Sequence, residues 1–163
     1  MIYLCTFMLL GIGLHIYQVI YPEFMVDGDS MYPTFINEEQ IKVKAHHQPK
    51  RWDVVVFQPP EESEETTYLK RIIGVPGDHI RYKDDQLYLN NIAVDDPFSE
   101  NTDNFDIRRL LGIKKIPEGY YFVLGDNRGI SKDSRLFGLV PEDNIIGIVA
   151  EGKDSYEENT GSD

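Results

Sequence analysis

One cysteine, Cys5, stands in 163 residues. A single thiol closes no intrachain disulfide, and it rules out a cysteine-rich zinc site. Cations are short as well: 16 Lys and Arg face 28 Asp and Glu, a formal net charge of −12. A nucleic-acid partner is excluded on that ground, because no surplus of cations is available to displace the counterions of a polyanion. The acidity is uneven. Glu61, Glu62, Glu64 and Glu65 carry four negative charges, and residues 151–163 carry a further net four. These two stretches read as a solvated loop and an acidic, disordered tail. Common hydrolytic signatures are also missing, with no G-x-S-x-G elbow and no H-E-x-x-H. The histidines His15, His46, His47 and His79 sit beside no obvious partner, so none is a candidate base. Nothing in the sequence asks for a cofactor or a metal.

What is present begins with an uncharged start. Residues 2–20 contain no Asp, Glu, Lys or Arg, and their polar positions are Thr6, His15 and Gln18. As a helix this segment spans about 28 Å, roughly the hydrocarbon thickness of a bilayer. A buried core helix would show polar residues at helical spacing. A cleaved leader would show a basic start and an A-x-A-like site before Tyr21. Neither pattern occurs, so residues 1–20 are read as an uncleaved transmembrane anchor. Charge does not set its orientation, because no Lys or Arg precedes it.

From Tyr21 onward the periodicity is mostly two. Ile41–Ala45 alternates, Val54–Phe57 is an apolar run ended by Pro59 and Pro60, and Leu69–Val75 ends at Pro76-Gly77. His79–Tyr82, Gln86–Ile92, Tyr120–Leu124 and Ile145–Val149 complete the series. The expectation is one mainly β, antiparallel domain over 21–150. Asp103 to Leu111 reads as a short helix with Asp103 as cap and Gly112 as stop, inside an insertion or cap over 91–116.

Three stretches are dense in turn and polar residues: Asp27–Thr34, Tyr68–Asp78 and Gly125–Arg135. Taken singly, each has a structural explanation. Ser30 satisfies backbone groups in a turn, Lys70 guards a strand edge, and Arg128 and Arg135 neutralise Asp126 and Asp133 in a hairpin. Taken together they suggest chemistry. With no histidine in place, a serine nucleophile needs another base, and a neutral lysine can serve.

The motifs S-M-x-P-T at 30–34, Y-x-K-R-x-x-G-x-P-G-D at 68–78 and G-D-N-R-x-x-S-x-D-S-R at 125–135 resemble the ordered boxes of bacterial type I signal peptidases. The run Arg51–Phe57 resembles that family's intervening box, and the likeness extends from Phe24 to Val149. A single anchor on a short chain is similar to the Gram-positive subtype. The resemblance implies coiled antiparallel sheets and cleavage of signal peptides of membrane-inserted preproteins after small residues. It also implies a single-pass cell-membrane protein whose catalytic domain is extracytoplasmic and which needs no cofactor. It assigns Ser30 as nucleophile and Lys70 as general base, Ser131 as the hydroxyl that orients the amine, and Asp133 with Arg135 as a supporting pair. Arg71, Asp126 and Arg128 take structural roles. The oxyanion donors would be the Ser30 backbone N–H and, at Gly28, a backbone group in place of the serine that some members carry.

That chemistry makes a physical demand. An ordinary lysine with a pKa near 10.4 is neutral in about one molecule in 2,500 at pH 7. A value near 8 raises that share to about a tenth, which desolvation supplies and a nearby carboxylate opposes. Lys70 is therefore expected to be buried with no carboxylate in contact. Ser30 lies ten residues past Ile20, within about 35 Å of the anchor's exit. Phe24, Met25, Met31, Tyr32 and Phe35 around it are divided between core and an apolar patch at the lipid bilayer. Two other readings compete. A self-cleaving repressor would need a DNA-binding domain that is absent here. A catalytically silent relative that binds signal peptides or scaffolds secretion would be expected to lack Ser30 or Lys70.

Overall fold

A computed structural model describes residues 8, 10–13, 17–45, 48–60, 62–63, 65–98 and 100–151. The strands are β1 (Glu23–Met25), β2 (Gln40–Ala45), β3 (Val54–Phe57), β4 (Tyr68–Gly74), β5 (Ile80–Lys83), β6 (Gln86–Leu89) and β7 (Ile92–Val94). They continue with β8 (Phe105–Asp106), helix α1 (Ile107–Leu110), β9 (Tyr120–Leu124), helix α2 (Ser134–Phe137), β10 (Val140–Pro141) and β11 (Ile145–Glu151). Seven strands form one sheet in the order β1-β2-β11-β3-β4-β9-β10, and four form a second in the order β7-β6-β5-β8. The pairings are antiparallel, so the mainly β expectation holds.

The larger sheet is covered on both faces, which explains why β3 is an unbroken apolar run rather than an alternating one. Val54 and Val56 pack with Met31, Phe35, Ile41 and Val43, whereas Val55 and Phe57 pack with Ile72, Tyr121, Val123 and Val140. A third cluster joins the sheets, with Ile73, Phe122 and Leu124 of the larger meeting Ile80, Tyr82 and Leu87 of the smaller.

Local details depart from the sequence reading. Residues 86–92 are not one strand: the chain turns at Asn90 and Asn91, whose φ angles of 53° and 70° are tolerated by asparagine, and β6 and β7 form a hairpin. Asp106, not Asp103, caps α1, its carboxylate accepting from the Arg108 N–H at 2.8 Å. Phe105 and Asp106 pair with β5 first, so one helical turn is all that remains before Gly112 at φ 72°. Residues 91–116 thus supply two strands of the smaller sheet. Among the described residues no helix is long and apolar enough to cross a membrane. The expected anchor lies largely outside those residues, of which 8, 10–13 and 17–20 are helical. Of the expected acidic tail, Glu151 is the last residue of β11 and 152–163 lie outside the described residues.

One buried polar network locks the smaller sheet to the loop after β9. The Arg128 guanidinium donates to Asp96 Oδ2 at 2.8 Å, Thr102 Oγ1 at 3.0 Å, Tyr82 Oη at 3.1 Å and the Gly125 carbonyl at 3.0 Å. The Tyr82 hydroxyl also donates to Asp96. The neutralisation of Asp126 by Arg128 read from the sequence is therefore incorrect. Arg128 belongs to Asp96, and both side chains are fully enclosed. Removing one member of such a pair leaves an uncompensated buried charge. Asp96→Ala is expected to lower stability by about 3–5 kcal/mol, measured by urea denaturation, and Asp96→Asn by less.

Candidate active site

The first polar stretch is the connection between β1 and β2, the second is β4, and the third follows β9. Sheet order makes β4 and β9 neighbours, and buried Met31 and Phe35 pin the first connection against β3. The turn at Ser30 is closed by Tyr32 N–H to Asp29 O at 3.1 Å and Phe35 N–H to Met31 O at 3.0 Å. Asn127 straps it from the other side: its backbone N–H donates to Ser30 O at 3.1 Å and its side-chain amide to Asp29 O at 3.1 Å. Gly125 lets this contact close. A Cβ there would fall 2.5 Å from Ser30 O and 2.2 Å from Ser131 Oγ.

Ser30 and Lys70 meet. Lys70 Nζ donates to Ser30 Oγ at 2.7 Å and to the Leu69 carbonyl at 2.8 Å, and lies 5.3 Å from the Tyr68 ring centroid. Lys70 is 4% exposed. Burial lowers its pKa from the ordinary 10.5 to about 8, against the opposing fields of Asp133 and Asp126. Among the described residues no carboxylate bonds the amine, and the two acids that oppose the shift are occupied. Arg71 grips Asp126 through two bonds of 2.8 and 2.7 Å, and Thr34 adds its hydroxyl at 2.5 Å. Arg135 grips Asp133 through two bonds of 2.8 Å, and the Gly125 N–H adds a third contact at 3.1 Å. Asp133 also caps α2. Each carboxylate spends its charge on a guanidinium, which limits its pull on the ammonium.

Two expectations meet a different geometry. Ser131 is buried beside Gly125 and Ser30, but its Oγ has no hydrogen-bond partner among the described residues, and the amine's two bonds go to Ser30 and Leu69. Ser131 therefore does not orient the amine by a direct bond here. Gly28, at φ 84°, gives its N–H to Asn37 Oδ1 at 2.8 Å, so that donor is already committed. The Ser30 N–H makes no hydrogen bond among the described residues. His79 does have a partner, Asp106 at 2.8 Å, in the smaller sheet. Thr34 and Asn127 lie inside the quoted motifs without an assigned role, whereas Asp96, Tyr82 and Thr102 carried no signal in the sequence.

A cleft of about 540 Å³ opens onto the pair, walled by Phe24, Val26, Ile41, Val56 and Leu69. Of the five residues divided between core and surface, Met31 and Phe35 are buried, Phe24 is half-buried, and Met25 and Tyr32 are exposed. Among the described residues no group of side chains could hold a metal ion. A hydroxyl bonded to a buried amine of lowered pKa, beside a backbone N–H unpaired among the described residues and a cleft with one apolar wall, has the parts for acyl transfer.

The family model described as signal peptidase, peptidase S26 matches residues 1–151. The chain is 37% identical over 156 residues to signal peptidase I V of Bacillus subtilis, covering 87% of this chain and 91% of that protein. It is 37% identical over 151 residues to signal peptidase IB of Staphylococcus aureus, covering 82% and 78%. A crystal structure of a signal peptidase I from Enterococcus faecalis superposes with a TM-score of 0.58 at 34% identity, covering 63% of this chain and 97% of that one. The chain belongs to the signal peptidase, peptidase S26 family of serine endopeptidases.

The lowered pKa of Lys70 has a price in stability. Below about pH 8 the folded protein must hold a desolvated charge that the unfolded chain hydrates freely. Lys70→Met is expected to be more stable than the wild type at pH 7 by about 1–3 kcal/mol. Between about pH 8 and 10.5 the unfolded chain binds more protons than the folded one, so wild-type stability rises with pH and the difference narrows. Urea denaturation of both proteins at pH 7 and pH 10 measures it.

Proposed function

We propose that this protein is a membrane-bound serine endopeptidase that removes N-terminal signal peptides from exported preproteins after small residues. Ser30 is the nucleophile and Lys70 the general base. The observation that carries this reading is the 2.7 Å contact between Lys70 Nζ and Ser30 Oγ at a buried amine. In the neutral amine the lone pair accepts the Ser30 proton while one N–H stays on the Leu69 carbonyl. Oγ then attacks the scissile carbonyl carbon, and the Ser30 N–H receives the developing oxyanion. The C–N bond breaks as Lys70 returns its proton to the departing amine, leaving an acyl-enzyme on Ser30. Water, deprotonated by the same amine, hydrolyses that ester and restores both groups.

Membership of the peptidase family and the retention of both Ser30 and Lys70 favour an active enzyme over a silent relative. The site residues Asp126, Arg71, Asp133 and Arg135 hold the framework, and Arg128 joins it to the smaller sheet. The uncharged residues 2–20 support a single-pass anchor with the 21–150 domain on the extracytoplasmic side and residues 152–163 as an acidic tail. Exposed Met25 and Tyr32 beside the cleft suit the lipid interface.

Cleavage of a synthetic signal peptide by wild type, Ser30→Ala and Lys70→Met tests the assignment. Both variants are expected to lose at least about a thousandfold in kcat/KM, while equal traces from all three would favour a silent relative. For the wild type, kcat/KM is expected to rise about tenfold per pH unit and to level above about pH 8, as Lys70 loses its proton. A flat profile from pH 6 to 9 would exclude Lys70 as the base.

A further inference from the structure

A second charged pair adjoins the same cleft through Lys132, which lines it, and takes no part in the chemistry above. Lys132 follows the buried Ser131 and points outward, its ammonium 2.5 Å from Glu62 Oε1. The Tyr68 hydroxyl donates to the same oxygen at 3.0 Å. Lys132 Nζ lies 5.8 Å from the Tyr68 ring centroid, and Lys70 Nζ lies 5.3 Å from it. Two distances to one centroid cap the separation of the lysine nitrogens at about 11 Å. An extended peptide advances about 3.3 Å per residue. About three extended residues span that limit, and Lys132 lines the cleft, so a substrate side chain near the scissile bond can approach this pair from the Lys132 side.

The pair is poorly placed to serve stability. Its side chains are 55% and 27% exposed, and such surface pairs contribute little to folding. Its effect on the cleft is larger. Lys132 holds the Glu62 carboxyl below its ordinary range, and Glu62 holds the Lys132 ammonium above its own, so both stay charged near neutrality. Among the described residues, the charged groups that line the cleft with Lys132 are Asp27, Glu65 and Lys70. Without Lys132, acids alone would face the substrate beside the base.

We propose that the Glu62–Lys132 ion pair, braced on Tyr68, is a charge filter that disfavours acidic and basic substrate residues close to the scissile bond. An acidic side chain must displace Glu62 from Lys132, and a basic one must displace Lys132 from Glu62, whereas a neutral one disturbs neither. The inference rests on the peptidase reading of this cleft and adds a specificity that the reacting pair does not supply.

The test uses the full chain and synthetic signal-peptide cleavage segments that carry Glu, Gln or Lys at each of the three positions on either side of the scissile bond. At one or more positions, Glu62→Gln should raise the Glu:Gln ratio of kcat/KM by about threefold or more. Lys132→Met should raise the Lys:Gln ratio at the same position. Both preferences should shrink in high salt. The exchanged pair, Glu62→Lys with Lys132→Glu, should return both ratios toward the wild type, which separates a filter from mere loss of a loop contact. Ratios that stay unchanged in both single variants, with the wild type cleaving the Gln peptides, would overturn the filter and leave the peptidase reading intact. A wild type that cleaves no peptide would overturn both.

Discussion

A buried amine held against an alcohol, inside a protein rich in acid, is the constraint around which the site is arranged. Desolvation lowers the Lys70 pKa, but the two closest carboxylates push it the other way. Removing those acids is not open to the fold, because Asp133 caps α2 and Asp126 ties the Ser30 connection to β4 through Thr34 and Arg71. Instead each acid is occupied by a guanidinium that cannot lose its proton. Arg71 and Arg135 thus carry two duties, one structural and one electrostatic. The electrostatic duty concerns Lys70, whose amine neither guanidinium bonds among the described residues.

Assembly of the pair depends on sheet order rather than on nearness in sequence. Ser30 and Lys70 are forty residues apart, and Asn127 reaches the Ser30 turn from almost a hundred residues downstream. The absence of a side chain at Gly125 allows that approach. Behind it, Arg128 fastens the same loop to Asp96 and Thr102, so the smaller sheet braces the site without lining the cleft.

Much of this could be read in the chain. The strand positions followed from alternation and from Pro and Gly punctuation, with errors where local chemistry overrode the pattern. The asparagines at 90 and 91 looked like strand interior yet formed a turn, and Asp106 took the capping role assigned to Asp103. Ser30 and Lys70 could be singled out because they sit in ordered motifs that resemble one family, and the burial of Lys70 was expected from the pKa that a lysine base requires. Hydrogen-bond partners were less legible. Nothing in the spacing links Arg128 to Asp96, since their meeting depends on how two sheets pack. Ser131 and Gly28 show the same limit: both lie at the site, while the amine bonds the Leu69 carbonyl and the Gly28 N–H is held by Asn37.

Strand β11 follows every other strand in sequence, yet it lies inside the larger sheet between β2 and β3. Until it arrives, β1 and β2 share no edge with β3, β4 and β9. Ser30 travels with the first group and Lys70 with the second. A late strand thus closes the larger sheet, and the 2.7 Å contact between Lys70 and Ser30 spans the two parts that it joins.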